Sequence, residues 1–218
     1  MTKIIGIDDA GRGPVIGPMI LAGILIDDKE EKSLKELEVK DSKLIQPIKR
    51  RKIKEELIKK FRYHLEIANP VEIDESNNLN YLEAIKTAAI VNKLTNNLKE
   101  KVKVFIDCPS VNIISWTNDV QKLLKEPEKI ELICEHKADL NHKVVSAASI
   151  IAKETREEEL IKLRKELGIE FGSGYPADPI TIEFIKKNYT NSKYKKIIRF
   201  SWKTVKNLIK ESDQKRLF

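Results

Sequence analysis

The sequence predicts an α/β protein with a mixed sheet flanked by helices and a smaller helical part at the C-terminal end. Short apolar runs bounded by Gly, Pro or Asp alternate with longer charged segments that carry apolar residues at helical spacing, which is the pattern of strands alternating with helices. The 218 residues are 41% hydrophobic, enough to bury a core, and this excludes a disordered chain.

The strands are predicted where an apolar run is short and ends at a turn-forming residue. The first run ends at Asp8, the second follows a loop rich in Gly and Pro, and the fourth ends at Asp107 before Pro109. The predicted strands are residues 3–7, a segment within 15–26, and residues 63–68, 102–106 and 129–134.

Helices are predicted where apolar residues recur every three or four positions among charged ones. Asp178 before Pro179 supplies an N-cap for one of them. The predicted helices are residues 29–38, 46–61, 80–98, 140–167, 180–187 and 202–210, with a loop at 41–43 and a domain boundary that separates residues 1–178 from residues 179–218.

Composition also bears on the cellular compartment. The longest apolar run, residues 15–26, is shorter than the roughly 20 residues that a membrane-spanning helix requires. Asp8, Asp9 and Arg12 precede this run, unlike the start of a signal peptide. Cys108 and Cys134 cannot form a disulfide framework and suit reduced thiols. We therefore expect a cytoplasmic protein.

The positive charge lies in the C-terminal stretch. Residues 181–218 hold eleven Lys and Arg against three Asp and Glu, whereas the first 180 residues are nearly balanced. The basic residues alternate with aromatic ones, as on a surface that binds nucleic acid. A solvated lysine-rich helix at a chain end explains the charge equally well. The residues concerned are Tyr189, Lys193, Tyr194, Lys195, Lys196, Arg199, Phe200, Trp202 and Lys203.

Four aspartates fall at the ends of predicted elements. Asp8 and Asp9 close the first strand, Asp107 closes the fourth, and Asp139 opens the long helix. Carboxylates gathered at one sheet edge repel one another and need a cation to remain ionised together. Mg²⁺ or Mn²⁺ suits such oxygen ligands, and two ions would support phosphodiester hydrolysis. Any single aspartate in such a place is more often a turn former or a helix cap.

Two glycine-containing loops are candidate substrate contacts. Gly11, Arg12 and Gly13 bring backbone close to a ligand, and exposed amides there can bind phosphate or sugar hydroxyls. A dinucleotide-binding loop fits badly, because the glycine spacing differs and prolines interrupt the helix that should follow. Tyr175 lies on the Gly172–Pro176 turn, where its ring can stack on a sugar or base or pack on the core.

Several motifs in order resemble the ribonuclease HII family, notably its archaeal form. They span residues 6 to 204, so the resemblance covers nearly the whole chain. The motifs are GIDDAGRGP from Gly6, DSK from Asp41, Ile106-Asp107, EHKAD from Glu135, VVSAAS from Val144, GSGYP from Gly172 and SWKT from Ser201.

The resemblance implies a ribonuclease H-like fold and metal-dependent cleavage of RNA in RNA–DNA hybrids. It further implies incision on the 5′ side of ribonucleotides embedded in duplex DNA, with 5′-phosphate and 3′-hydroxyl products. The family's four metal-binding positions correspond to Asp8, Asp9, Asp107 and Asp139, with Mg²⁺ or Mn²⁺ in a two-metal site.

The family's substrate-binding positions also have counterparts in this sequence. The loop that reads the ribose 2′-hydroxyl corresponds to Gly11, Arg12 and Gly13, and the junction-sensing tyrosine corresponds to Tyr175. Lys43 of the DSK motif is expected to contact phosphate.

One position departs from the family pattern, because the family has Glu where this chain has Asp9. The shorter side chain reaches about 1.3–1.5 Å less far, and metal–ligand distances tolerate only a few tenths of an ångström. We therefore expect weaker activity with Mg²⁺ and greater reliance on Mn²⁺. A disabled, non-catalytic nucleic-acid-binding protein and a nucleotide-cofactor enzyme are the alternatives.

The resemblance also bears on partners. The last five residues, from Gln214 to Phe218, are faintly similar to a peptide that binds a sliding clamp, although a frayed tail is the simpler interpretation. The expected substrates are RNA–DNA hybrids and ribonucleotide-containing duplex DNA. The family also leads us to expect a monomer.

Overall fold

A computed structural model describes residues 2–37 and 46–215, and its five strands form one mixed sheet. The strands are β1 (Lys3–Ala10), β2 (Met19–Asp27), β3 (Arg62–Ala68), β4 (Val102–Asp107) and β5 (Ile130–Glu135). Their order across the sheet is β3-β2-β1-β4-β5. Strand β1 pairs antiparallel with β2 and parallel with β4, which pairs parallel with β5. The predicted mixed α/β sheet is confirmed.

Nine α-helices lie within the described ranges, and none of them is both long and apolar enough to cross a membrane. The predicted long helix is interrupted at His142, whose backbone is extended. Two of the helices, the one that begins at Pro70 and the one that begins at Ile113, were not predicted. The helices are α1 (Glu31–Glu36), α2 (Pro47–Lys60), α3 (Pro70–Glu75), α4 (Leu79–Thr95), α5 (Ile113–Leu123), α6 (Ala138–Asn141), α7 (Lys143–Leu167), α8 (Pro179–Asn188) and α9 (Lys203–Lys215).

The chain divides into two compact units. The first unit contains residues 1–10, 20–67 and 78–155, and the second contains residues 11–19, 68–77 and 156–218. Three separate stretches of the sequence therefore build each unit. The predicted domain boundary at residue 178 stays a prediction, whereas the division between the units falls inside α7.

The core of the first unit lies between the sheet and the start of α7. Strand β2 is buried along almost its whole length, because it is an interior strand of the sheet and is apolar on both faces. Helix α7 passes so close to β1 that a Cβ at Gly6 would lie 2.3 Å from the Val144 carbonyl oxygen. Gly6 therefore permits backbone-to-backbone packing that no larger residue allows.

Aromatic and aliphatic side chains from the C-terminal stretch form the core of the second unit. Tyr189 and Tyr194 are buried there, and Arg199 is fully buried. The sequence left open whether these residues lie on a surface that binds nucleic acid or on a solvated lysine-rich helix. The structure corrects both interpretations for the three of them, because their side chains belong to the interior.

Candidate active site

Three of the predicted aspartates line one edge of the sheet in the first unit. The parallel pairing of β1 with β4 places Ile7 opposite Ile106, so Asp8 and Asp107 follow at the same end of neighbouring strands. Asp9 is the next residue of β1. Parallel strands end at a common edge, which explains how residues about one hundred positions apart in the sequence come together.

A small cavity lies against these carboxylates. Asp8, Asp9 and Asp107 line it together with Glu83 and Trp116, and the space inside is about 10 Å³. This is on the order of the room that one water molecule occupies. The cavity is therefore of a size for a single small occupant among several oxygen atoms.

Asp8 is the most deeply buried of the four aspartates, with 6% of its surface exposed. Burial raises the pKa of Asp8 well above its ordinary value, and the negative charge of Asp9 raises it further. Hydrogen bonds from the Ser149 side chain and from the Asp9 backbone N–H, at 2.7 Å, act in the opposite direction. Asp107 contributes a smaller repulsion.

Asp107 accepts hydrogen bonds from the start of α6. The backbone N–H groups of Ala138, at 3.3 Å, and of Lys137 stabilise its charged form. Burial nevertheless raises the pKa of the Asp107 carboxyl above its ordinary value, and repulsion from Asp139 adds to this effect. His136 lowers the pKa, and one of its ring nitrogens lies 3.1 Å from the Cys108 carbonyl oxygen.

Asp139 occupies the first turn of α6 and is almost fully buried. The preceding Lys137 has a positive φ of 59°, a sharp bend that turns the chain after β5 into this helix. The Ser146 hydroxyl donates to the Asp139 carbonyl oxygen, which ties α6 to the first turn of α7. The structure thus places Asp139 where it repels Asp107, as the predicted cluster requires.

The donor chemistry of this cluster fits a hard divalent cation. All four side chains are carboxylates, and their mutual repulsion is what a bound cation would relieve. Within the described residues, however, no three acidic, histidine or cysteine side chains are close enough together to hold one ion. The carboxylates therefore match such an ion in kind and charge.

The predicted Gly11-Arg12-Gly13 loop belongs to the second unit. Gly11 has a φ of +92°, and a Cβ there would lie 2.5 Å from Cδ of Arg156 and 2.8 Å from the Pro18 carbonyl oxygen. Glycine is required at this position for both reasons. At Gly13, by contrast, a Cβ would meet nothing within 4 Å, so the loop borders open space there.

The buried guanidinium of Arg199 contacts the same loop. Its Nη2 donates to the Gly11 carbonyl oxygen at 2.7 Å, its Nη1 to the Arg12 carbonyl oxygen at 3.1 Å, and its Nε to the Gly17 carbonyl oxygen at 2.9 Å. The sequence marked Arg199 only as one of many basic residues. Its contacts lie more than 180 positions away, so nothing in its neighbourhood in the sequence could indicate them.

Tyr175 lies on the second predicted loop, with 43% of its surface exposed. The guanidinium of Arg156 lies over the tyrosine ring, 5.2 Å from its centroid, and also donates to the Ile16 carbonyl oxygen at 3.4 Å. The Gly174 carbonyl oxygen accepts from the N–H groups of Val15 and Ile16. Backbone and side-chain contacts therefore fasten the tyrosine loop to the segment that follows Gly13.

Asp178 and Thr181 hold this tyrosine loop from the other side. The Asp178 carboxylate accepts from Ser173 N–H at 2.6 Å and from Ile180 N–H at 2.9 Å, and it caps α8 as predicted. The hydrogen bonds from Ser173 are the main cause that lowers the pKa of Asp178 to about 2. The buried Thr181 hydroxyl accepts from Gly174 N–H at 3.0 Å.

The structure thus collects the predicted site residues into two groups. The aspartates form one group in the first unit, and the two glycine loops form another in the second unit. Lys43 lies outside the described residues, as does the predicted loop at 41–43. Sequence reasoning missed the contacts that Arg156, Arg199 and Ser149 make with these groups.

Comparisons with known proteins identify relatives of the whole chain. The family model described as Ribonuclease HII matches residues 5–205. A protein named Ribonuclease HII from Methanococcus maripaludis (strain C6) is 41% identical over 220 residues, which cover 99% of this chain and 90% of that protein.

Solved structures are also similar. The crystal structure of the ribonuclease H2 from Pyrococcus horikoshii OT3 superposes with a TM-score of 0.86 at 38% identity, over 98% of this chain and 100% of that one. The structure of the PCNA:RNase HII complex from Archaeoglobus fulgidus gives 0.80 at 34% identity, over 94% and 96% of the two chains. Bst-RNase HIII in complex with Mn²⁺ gives 0.82 at 19% identity, over 98% and 71%, which shows a shared fold.

Asp178 predicts a dependence of stability on pH. Its pKa is about 2 in the folded protein and near 3.8 ordinarily, so the unfolded chain takes up this proton first as the pH falls. The stabilisation is therefore complete above about pH 5 and is lost between about pH 4 and pH 2. We expect Asp178→Asn to lower the unfolding midpoint in urea at pH 7, and the difference from the unaltered protein to shrink steadily below pH 5.

The control is Glu166→Gln, which makes the same charge change on an exposed part of α7. A difference between Asp178→Asn and the unaltered protein that stays constant from pH 7 to pH 3 would show that the carboxylate charge is not what stabilises the loop.

Proposed function

Because the chain belongs to the ribonuclease HII family, which cleaves RNA in RNA–DNA hybrids, we propose that this protein also incises duplex DNA on the 5′ side of an embedded ribonucleotide. Family membership makes it a ribonuclease H hydrolase. The observation that carries the proposal is the group of mutually repelling carboxylates formed by Asp8, Asp9, Asp107 and Asp139. Such a group suits phosphodiester hydrolysis when divalent cations neutralise it.

Mg²⁺ or Mn²⁺ is the proposed cofactor, held by these four aspartates. When bound, such an ion activates water and stabilises the leaving oxygen in phosphodiester hydrolysis. The chain's own part is to hold the ligands in place. Hydrogen bonds from the start of α6 orient Asp107, and hydrogen bonds from Ser149 and the Asp9 N–H orient Asp8.

The Gly11-Arg12-Gly13 loop is proposed to recognise the ribose. Backbone N–H groups can bind a 2′-hydroxyl, which is the group that distinguishes RNA from DNA. Gly13 supports this role because it is exposed and borders open space, so that a sugar can approach the backbone. Lys43 is proposed as a phosphate contact on the family resemblance alone.

Tyr175 is proposed to stack on the nucleotide at the RNA–DNA junction. Its ring is partly exposed, and Arg156 lies over it at 5.2 Å from the centroid. A ring held by a buried guanidinium loses little freedom when a substrate stacks against it. The tyrosine is therefore suited to sense the shape of a sugar or base.

A sliding clamp is a further proposed partner. A solved relative is the PCNA:RNase HII complex from Archaeoglobus fulgidus, which supports such an interaction. In this chain, Gln214 belongs to α9, whereas Arg216, Leu217 and Phe218 lie outside the described residues. Loss of clamp capture after removal of residues 214–218, in a pull-down with the purified clamp, is the expected result.

The first experiment is cleavage of a duplex that carries one ribonucleotide, in Mg²⁺ and in Mn²⁺, beside an all-DNA duplex. We expect cutting 5′ of the ribonucleotide and none of the DNA control. Asp8→Asn and Asp107→Asn should each reduce the rate by roughly 1,000-fold while the duplex is still bound, because a neutral amide binds the cations much more weakly than a carboxylate. Binding without cutting by the unaltered protein would instead indicate a disabled nuclease, and no binding would contradict the proposal.

The metal preference tests the role of Asp9. Restoring the longer side chain with Asp9→Glu should raise the rate in Mg²⁺ relative to the rate in Mn²⁺, because the carboxylate then reaches the position that the family uses. Steady-state rates across a series of metal concentrations measure this. Asp28→Glu, which lengthens an exposed side chain after the far end of β2, is the matched control for a change of side-chain length. Unchanged metal profiles in Asp9→Glu would refute the hypothesis.

Tyr175 should matter most for a single ribonucleotide. We expect Tyr175→Ala to lower kcat/KM on that substrate by about tenfold, since stacking contributes about 1–3 kcal/mol per base, and to affect a long RNA–DNA hybrid much less. Tyr175→Phe keeps the ring and should behave as the unaltered protein. Equal losses on both substrates would count against a role at the junction.

A further inference from the structure

Arg199 is the largest side chain that is fully buried in the described part of the protein. A buried guanidinium is costly unless its N–H groups find acceptors. Here three of its nitrogens donate to backbone carbonyl oxygens of Gly11, Arg12 and Gly17. The Arg199 side chain therefore binds two consecutive peptide groups of the loop that is proposed to read the ribose. It also binds the peptide group of Gly17, which lies farther along the chain.

These hydrogen bonds fix the direction of N–H groups as well as of carbonyls. A trans peptide unit is planar, and its N–H points opposite to its C=O. The Gly11 carbonyl shares a peptide unit with the Arg12 N–H, and the Arg12 carbonyl shares one with the Gly13 N–H; no peptide bond in the described chain is cis. When Arg199 draws both carbonyls towards itself, the N–H groups of Arg12 and Gly13 point away from it.

The guanidinium is itself held in place. The Arg199 N–H donates to the Val15 carbonyl oxygen at 2.9 Å, and the Trp202 ring lies 5.0 Å from the guanidinium carbon. The carboxylate of Asp74 accepts from the N–H groups of Phe200, at 2.7 Å, and Ser201, at 2.9 Å. The backbone around residue 199 is thereby fixed on both sides.

From these contacts we infer that Arg199 is a positioning residue, which sets the direction of the Arg12 and Gly13 N–H groups and through them the recognition of the ribonucleotide. The inference rests on the proposed function for its effect on cleavage. Its structural part stands on the hydrogen bonds alone. A direct contact between Arg199 and phosphate is inconsistent with an exposed fraction of 0%.

The substitution Arg199→Lys separates the effect of the charge from the effect of the geometry. It keeps the positive charge, but a single ammonium group cannot reproduce the planar fork that reaches three carbonyls. Val205→Ala is the matched control, because Val205 is a fully buried residue of α9 in the same core. Its apolar side chain forms no hydrogen bond with either loop. Its effect measures the consequence of a less stable second unit.

The Gly13 amide gives a direct readout that does not depend on activity. The chain has eight glycines, and Gly13 is the only one that follows an arginine. Labelling with ¹³C-arginine and ¹⁵N-glycine therefore isolates its amide signal, and ¹³C-leucine in the same way isolates Gly168, which follows Leu167. We expect Arg199→Lys to shift the Gly13 signal, while Gly168 is unchanged and Val205→Ala leaves both signals in place.

The kinetic readout is kcat and KM on the duplex with one ribonucleotide. We expect Arg199→Lys to lower kcat/KM by about tenfold, mainly through KM, because the loop binds the sugar rather than the reacting phosphate. Val205→Ala, at a comparable loss of thermal stability, should keep the KM of the unaltered protein. If Arg199→Lys does not fold, Asp74→Ala replaces it and should shift the same Gly13 signal, since it releases the backbone next to Arg199.

The outcomes separate the inference from the proposed function. An unchanged Gly13 signal and KM in Arg199→Lys, or an unchanged Gly13 signal in the substitute Asp74→Ala, would overturn the inference. Equal changes in Arg199→Lys and Val205→Ala would overturn it too, because they would trace to stability alone. If the unaltered protein cleaves no ribonucleotide substrate, the proposed function fails, whereas the Gly13 signal still decides whether Arg199 positions the loop.

Discussion

A charged group removed from water must be compensated by the protein, and each unit of this molecule is organised around such a group. In the first unit the group is Asp8, which is almost fully buried beside two further carboxylates. In the second unit it is Arg199, which is fully buried among backbone carbonyls. The neighbouring residues supply hydrogen bonds to both groups, as the cost of an unpaired buried charge requires.

The compensation differs between the two groups, and so does its consequence. Arg199 donates to acceptors in the protein itself, so the second unit needs no ligand to compensate this buried charge. The hydrogen bonds to Asp8 only oppose the effect of its burial and of its repulsion from Asp9 and Asp107, and its pKa remains raised. A cation would neutralise the remaining repulsion among the carboxylates of the first unit, whereas hydrogen bonds within the second unit already hold its loop in a defined shape.

The sequence predicted all five strands, because short segments rich in apolar residues mark them, and in some of them a turn-forming residue marks the end. It also predicted the place of Asp8 and Asp107, since parallel strands end at one edge. It did not predict α5, although apolar residues recur there at helical spacing, at Ile113, Trp116, Val120 and Leu123. Nor did it reveal the role of Arg199, because the basic residues around it are exposed and its partners are more than 180 positions away.

The strand that carries Asp8 and Asp9 ends at Ala10, and the next residue, Gly11, begins the loop that is proposed to read the ribose. A single peptide bond therefore joins the two segments. Only a residue without a side chain can make that turn, given the positive φ of Gly11 and the proximity of Arg156. In the sequence, the carboxylates of β1 therefore come immediately before this loop. Within the second unit, Arg199 fixes the carbonyls of Gly11 and Arg12. In the proposed function, the aspartates then serve the chemical step and Arg199 serves the recognition of the sugar.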